Sequence, residues 1–190
     1  LFRSPVLASK KTSSVINAMV NVLPSTGFVL KNGEEVLVYM ETGEYMCRVA
    51  LMEKKAIKGG EQGFVQLRLG QEASVYIGQR LIIRRQSPAD TIGGGVVLDP
   101  YAAILKQRDA EATITWLARR KDLGVEALIL TELEKLHFIE RKGLLSYSAY
   151  SQERIDTVVA SLIEKGRVGT KGEYLFLVKD WEIRKDELCQ

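Results

Sequence analysis

The stretch Ser87–Pro100, SPADTIGGGVVLDP, decides how this chain is read. Three consecutive glycines, Gly93, Gly94 and Gly95, follow shortly after the Arg84-Arg85 pair. Gly-rich loops cradle phosphates when they open a helix whose free N–H groups point at the anion. A nucleotide loop of that kind also needs G-x-x-x-x-G-K-[ST], and a dinucleotide fold needs G-x-G-x-x-G followed by an acid. Here the glycines run straight into Val96-Val97-Leu98, a β-branched run that reads as strand, and Pro100 ends the run before any helix begins. Glycines inside a strand mark a bulge, a barrel corner or a close backbone approach. Gly93, Gly94, Gly95 and Thr91 are therefore read as barrel-closing, structural positions.

Working outward toward the N-terminus, the pattern keeps a period of two. Ile16, Ala18, Val20 and Val22 share one face of a strand, with Asn17 and Asn21 on the other. VLVYMETGEYMCRVALM follows as two strands joined at Thr42-Gly43, with Tyr45, Cys47, Val49 and Leu51 facing inward. KGGEQG at 58–63 is a further turn, and FVQLRL, RLIIRR and GVVLD supply three more strands. About six short strands separated by turns predict a small closed antiparallel β-barrel.

Beyond Pro100 the period becomes helical. AEATITWLARRKD and GVEALILTELEKL read as helices punctuated at Gly124. In 151–165, Ile155, Val158, Val159, Leu162 and Ile163 form one apolar stripe, with Ser151 as N-cap and Gly166 as the glycine after the C-cap. RVGTKGEYLFLV then reads as a hairpin. Helices followed by a β-hairpin make a winged helix. The predicted organisation is mainly β plus α: a β-barrel over 1–99 and a winged-helix domain over 100–190, with the start of a second module at the C-terminus. The polar face of the last helix carries Glu153, Asp156 and Glu164 against Arg154 and Lys165, a balance that repels a phosphate backbone.

Composition narrows the function classes. The 190 residues are 46% hydrophobic and 27% charged, as in ordinary globular proteins, and no apolar run approaches a membrane span. Cys47, Cys189 and the single His137 are too few and too scattered for structural zinc. The cysteines read as free thiols of a reducing compartment, and His137 as half-buried packing at a helix end. No clustered His, Cys and carboxylate constellation supports catalysis. The net charge of +3 arises in residues 1–100, which hold 12 basic and 9 acidic side chains against 15 of each in the remainder. That excess suits a partial RNA contact rather than a full nucleic-acid stripe. KDEL at 185–188 is internal and is no retention address. The chain begins at Leu1 rather than Met and is expected to be part of a longer protein.

The segment Arg80–Pro100, RLIIRRQSPADTIGGGVVLDP, resembles the end of the third domain of selenocysteine-specific translation elongation factors, whose pattern is close to R-x-x-S-P-x-x-T-I-G-G-G-x-V-L-D. Val20–Val49, VNVLPSTGFVLKNGEEVLVYMETGEYMCRV, is similar to that family, and to the more distant elongation factor Tu, in strand order and spacing. The resemblance implies a factor that binds GTP and selenocysteinyl-tRNA and delivers it to the ribosome at a UGA codon recoded by an mRNA hairpin, in the cytoplasm. Neither G-x-x-x-x-G-K-[ST] nor N-K-x-D occurs in this chain. GTP and Mg would belong to a GTPase domain elsewhere in the parent, and this stretch is expected to bind no cofactor and to be no enzyme. In the family the hairpin is held by the last modules of a winged-helix array, which makes the first module a spacer. What remains is the barrel's share of the tRNA backbone. Arg84, Arg85 and Gln86, before the S-P turn, are the candidates on one loop, and Lys31 and Asn32 on another. Asp90 places an acid beside them. A different reading of the same order of elements is a winged-helix DNA-binding regulator with a small sensing or dimerisation barrel, which would need a basic recognition face.

Overall fold

The structure, a computed structural model, describes residues 11–87 and 90–181. Contacts divide the chain between Ile114 and Thr115 into two compact units. Pro88, Cys189 and the start of a second module past Trp181 lie outside the described residues.

The first unit is built from β1 (Ser13–Val22), β2 (Leu30–Lys31), β3 (Glu35–Met40), β4 (Gly43–Leu51), β5 (Ala56–Ile57), β6 (Gln62–Ala73), β7 (Arg80–Arg84) and β8 (Thr91–Asp99). Six of these close into an antiparallel barrel in the order β1-β6-β4-β3-β7-β8, while β2 and β5 form a separate two-stranded ribbon. Period-two alternation sends Ile16, Ala18, Val20, Val38, Val49, Val65, Leu67 and Ile83 inward, each nearly inaccessible to water. Burial of such side chains contributes roughly 1.5–3 kcal/mol each.

Closure depends on β8. Gly93, Gly94 and Gly95 pair with Val22, Asn21 and Val20 of β1 on one side and with Ile83, Ile82 and Leu81 of β7 on the other. A Cβ at Gly93 would stand 2.3 Å from the Asn21 carbonyl oxygen, one at Gly95 2.5 Å from that of Met19, and one at Gly94 3.0 Å from that of Leu81. Those distances exclude any side chain at the first two positions without backbone movement. The β3–β4 hairpin turns one residue earlier than its sequence suggests. Glu41 takes the left-handed conformation (φ 51°), and Gly43 already belongs to β4. Gly43 lies under the Tyr45 ring, whose hydroxyl would stand 2.5 Å from a Cβ there and would have to swing aside.

The chain does not leave the barrel at Pro100. Residues 100–105 run back along its wall, held by the buried Gln66. Its Nε2 donates to Asn17 Oδ1 (3.1 Å) and to the Ala103 carbonyl (3.0 Å), and its Oε1 accepts from the Leu105 N–H (3.1 Å). The Ala102 N–H adds a bond to the Val15 carbonyl.

The helical part contains α1 (Ala110–Ala118), α2 (Val125–Leu136), β9 (Phe138–Glu140), α3 (Gln152–Glu164), β10 (Val168–Lys171) and β11 (Tyr174–Leu177), with the strands paired β10-β11-β9. On α3, Ser151 Oγ caps the Arg154 N–H, and Ile155, Val159 and Leu162 are buried. Gly166 (φ 66°) ends it: its N–H reaches the Ile163 carbonyl while the Arg167 N–H reaches that of Leu162, satisfying two orphan acceptors. Between α1 and α2 the left-handed residue is Leu123 rather than Gly124. His137 (φ 62°) closes α2 and is exposed, which corrects its reading as half-buried packing.

The core of this second unit holds a charged pair with no counterpart in the periodic pattern. Arg120 is 0% exposed, and its Nη1 donates to Glu132 Oε1 at 2.6 Å and to Thr131 Oγ1 at 3.2 Å. Glu132 Oε2 accepts from the Tyr147 hydroxyl at 2.6 Å. The Arg120 Nε and Nη2 have no hydrogen-bond acceptor among the described residues, and the guanidinium carbon lies 4.3 Å from the centre of the Trp116 ring.

Two outcomes are expected. Gly93→Ala should destabilise the barrel by about 3 kcal/mol through overpacking, whereas Gly124→Ala, with open space around it, should be near neutral. Urea-dependent hydrogen exchange, of β1 and β8 amides for the first and of α2 amides for the second, reads the two effects. Arg120→Met should cost about 3–5 kcal/mol by leaving Glu132 buried beside an apolar group. Adding Glu132→Leu should recover much of that loss, read from Trp116 fluorescence during unfolding.

Candidate nucleic-acid interface

At one end of the barrel β1, β4 and β7 finish while β3, β6 and β8 begin. The register shows this in the pairs Val22↔Gly93, Asn21↔Gln62, Leu51↔Val65 and Arg84↔Thr91. The loops at this end carry every residue that the sequence nominates for RNA contact.

Arg84, Arg85 and Gln86 leave β7 at its last residue. The register slips between Ile83 and Arg84, so that Ile83 pairs with Gly93 but Arg84 with Thr91. The irregularity keeps Ile83 and Ile92 in the core while Arg84 stands half-buried at the wall. The Arg84 guanidinium carbon lies 5.6 Å from the Tyr39 ring centre, and that of Arg85 lies 4.8 Å from the ring of Phe28. Contacts of this kind steady a guanidinium against a ring, and Arg84 also bonds the Tyr39 hydroxyl. The Arg85 N–H closes the loop on the Asp90 carbonyl at 2.9 Å. Gln86 is exposed, and its amide nitrogen donates to Met46 Sδ.

The Tyr39 hydroxyl links this group to β4. Its proton is held above the ordinary tyrosine range, first by a hydrogen bond to Glu44 and by desolvation, against the opposing pull of Arg84. Thr91 is exposed at the start of β8, opposite Arg84.

Lys31 and Asn32 follow Phe28 by a few residues, so the stacked Arg85 stands against the same loop. Lys31 is exposed on β2, paired with Ala56 of β5. Asn32 has a structural duty, because its Oδ1 accepts the Leu51 N–H at 3.0 Å. Its NH₂ group remains a donor for a ligand. Gly33 (φ 82°) completes the turn and lies against the Arg48 guanidinium, where a Cβ would be 3.7 Å from Nη2.

Arg48 is a member of this surface that sequence reasoning did not nominate. It is exposed, pairs with Glu35 on one side and opposes Arg68 on the other. The signal was its outward place in an alternating strand; its nearness to the Gly33 turn required the register.

The chemistry available here is cationic and aromatic. Planar donors on fixed stems suit phosphate oxygens. Cys47 is buried, and burial pushes its thiol up to about 12, so it supplies no thiolate at neutral pH. Among the described residues no cluster of three or more His, Cys, Asp and Glu could hold a metal ion, and no helix is long and apolar enough to cross a membrane.

Residues 17–103 match the family described as "Selenocysteine-specific elongation factor, beta-barrel domain". The selenocysteine-specific elongation factor of Desulfomicrobium baculatum is 28% identical over 158 residues, 76% of this chain and 25% of that protein. The chain thus corresponds to about a quarter of that relative's length.

Removal of Asn32's acceptor should loosen the rim. Asn32→Ala is expected to cost about 1 kcal/mol and to speed exchange of the Leu51 amide. Asn32→Asp should preserve that protection while adding a charge that opposes an anionic ligand.

Proposed function

From a chain whose barrel matches the β-barrel domain of selenocysteine-specific elongation factors, we propose that it forms the non-catalytic C-terminal portion of a GTP-dependent factor that delivers selenocysteinyl-tRNA to the ribosome at recoded UGA codons. In this reading the barrel end contributes contacts to the tRNA backbone. The observation that carries the proposal is the pair of arginines held against aromatic side chains, Arg84 by Tyr39 and Arg85 by Phe28, at the mouth of a barrel matched to this family. Each guanidinium is held before a ligand arrives, so less side-chain entropy is lost on binding a phosphate. Such contacts position an RNA without reading its sequence. Lys31 and the Asn32 amide extend the same surface.

GTP hydrolysis belongs to a domain outside this chain, and the setting is the cytoplasm. The order helix, helix, strand, helix, hairpin supports reading the second unit as a winged helix. We read it as a spacer toward modules that bind the mRNA hairpin. Its third helix lacks the electrostatic face of a nucleic-acid reader. Glu153, Asp156 and Glu164 outnumber Arg154 and Lys165, and Asp156 is paired with Arg141 at 2.7 Å. This balance also disfavours a DNA-binding regulator.

The test is the salt dependence of tRNA binding by the factor carrying its GTPase domain. Arg84→Ala with Arg85→Ala should weaken binding and flatten the plot of log K against log salt by about one to two units, through lost counterion release. An unchanged slope, with the barrel still folded by circular dichroism, removes the arginine pair from the interface.

A further inference from the structure

The second unit carries a cleft of about 530 Å³, separate from the face of α3, whose polar walls include Arg119, Glu134, Arg167 and Lys179 and whose apolar lining includes Leu130 and Leu177. Four different places in the chain supply the charged groups: the turn after α1, the last part of α2, the turn after α3 and the residues after β11. The backbone that carries them is fixed. Gly166 sets the turn into Arg167, and the Arg167 carbonyl accepts the Val178 N–H at 3.1 Å, which holds Arg167 and Lys179 on neighbouring chain segments.

The charges do not cancel. Glu134, only 20% exposed, takes Arg119 Nη1 at 2.6 Å on one oxygen and Lys179 Nζ at 3.0 Å on the other. One carboxylate therefore faces two cations. Arg167, the third, bonds Glu126 at 2.5 Å, but both of those side chains are about half exposed, and water weakens such a pair. A guanidinium offers five N–H donors, and the bond from Arg119 to Glu134 employs one nitrogen. Burial opposes ionisation of Glu134, yet the bonds from Arg119 and Lys179 outweigh it and hold the carboxyl below its usual range. It is charged at neutral pH.

A bare phosphate centred in this cleft would be repelled by Glu134. A hydroxyl would not, because an ionised carboxylate has about four acceptor sites and two are taken here. The arrangement calls for a ligand with a hydroxyl donor beside an anion. We propose that this cleft binds a ribose-phosphate unit of RNA, its phosphate held by Arg119, Arg167 and Lys179 and its 2′-hydroxyl donating to Glu134. A 2′-hydroxyl next to a phosphodiester is the feature that separates RNA from DNA. The proposal goes beyond the barrel contact and adds, to the unit read above as a spacer, an RNA contact that does not use the α3 face.

The experiment uses the 190-residue chain carrying Arg84→Ala and Arg85→Ala, so that loss or failure of the barrel contact cannot alter the result. Fluorescein-labelled 12-mer oligouridine and 12-mer oligothymidine are the probes, read by anisotropy at several salt concentrations. RNA should bind more tightly than DNA. Lys179→Ala combined with Arg119→Ala should weaken both and lower the salt slope by about two. Lys179→Ala alone, at a side chain 65% exposed, supplies a variant that folds if the double one does not, with a slope lowered by about one. Glu134→Ala should bind DNA as tightly as RNA with DNA affinity no weaker than before, whereas loss of fold would weaken both. Adenosine monophosphate as competitor separates the sources of the same chemistry: displacement at low concentration assigns the cleft to a free nucleotide, and resistance to displacement assigns it to a polynucleotide. A preference for RNA that survives Glu134→Ala, or a salt slope unmoved by Lys179→Ala, overturns the proposal.

Discussion

The barrel exists because β8 can lie almost in contact with the backbones on both sides of it. Strands in a sheet sit about 4.8 Å apart, and side chains normally stand clear of the neighbouring backbone. At Gly93 and Gly95 that clearance is missing, with a would-be Cβ only 2.3 and 2.5 Å from β1 carbonyl oxygens. A sheet coiled tightly enough for six strands to meet must bring some backbone this close, and only glycine permits it. The register slip at Arg84 lies at the end of the same β8 run. Closure and the orientation of the arginines at the mouth are therefore one structural event.

This coupling explains the chemical character of the barrel end. The arginines there are laid on aromatic rings, Tyr39 and Phe28, which belong to different parts of the chain. Side chains held in this way present their charge in a set geometry. Asn32 shows the same economy: one amide oxygen ties the turn to β4 while its nitrogen stays available. The segment 100–105, stapled by Gln66, makes the exit from the barrel part of its wall.

The helical unit is organised differently. Its interior is held partly by the Arg120–Glu132 pair, closed by Tyr147, Thr131 and the Trp116 face. Such a pair adds little net stability over a well-packed apolar replacement, but breaking it is costly, so it acts against alternative packings. The outer charges on α3 are nearly balanced, and the uncompensated positive charge sits instead around Glu134.

Much of this could be read from the sequence because periodicity is a local property. Alternation over residues 15–98 specified a barrel, since a strand with one apolar face has to bury it. Ser151 and Gly166 bracketed the last helix because capping depends on a few adjacent residues. The nomination of Arg84, Arg85, Gln86, Lys31 and Asn32 came from the resemblance to the elongation-factor family, and the topology puts all five at one end. What lay outside the reach of sequence was pairwise and distant: which rings the arginines cover, that Arg48 borders the Gly33 turn, that Arg120 is buried with Glu132, and that Leu123 and His137 rather than a glycine take the left-handed conformations. Sequence by itself determined the barrel's long strands, the two ends of α3 and the close approach at the glycines of β8. Tertiary structure alone decided which charges meet, because a salt bridge or a stacked guanidinium depends on strand register and helix packing between residues far apart in the chain.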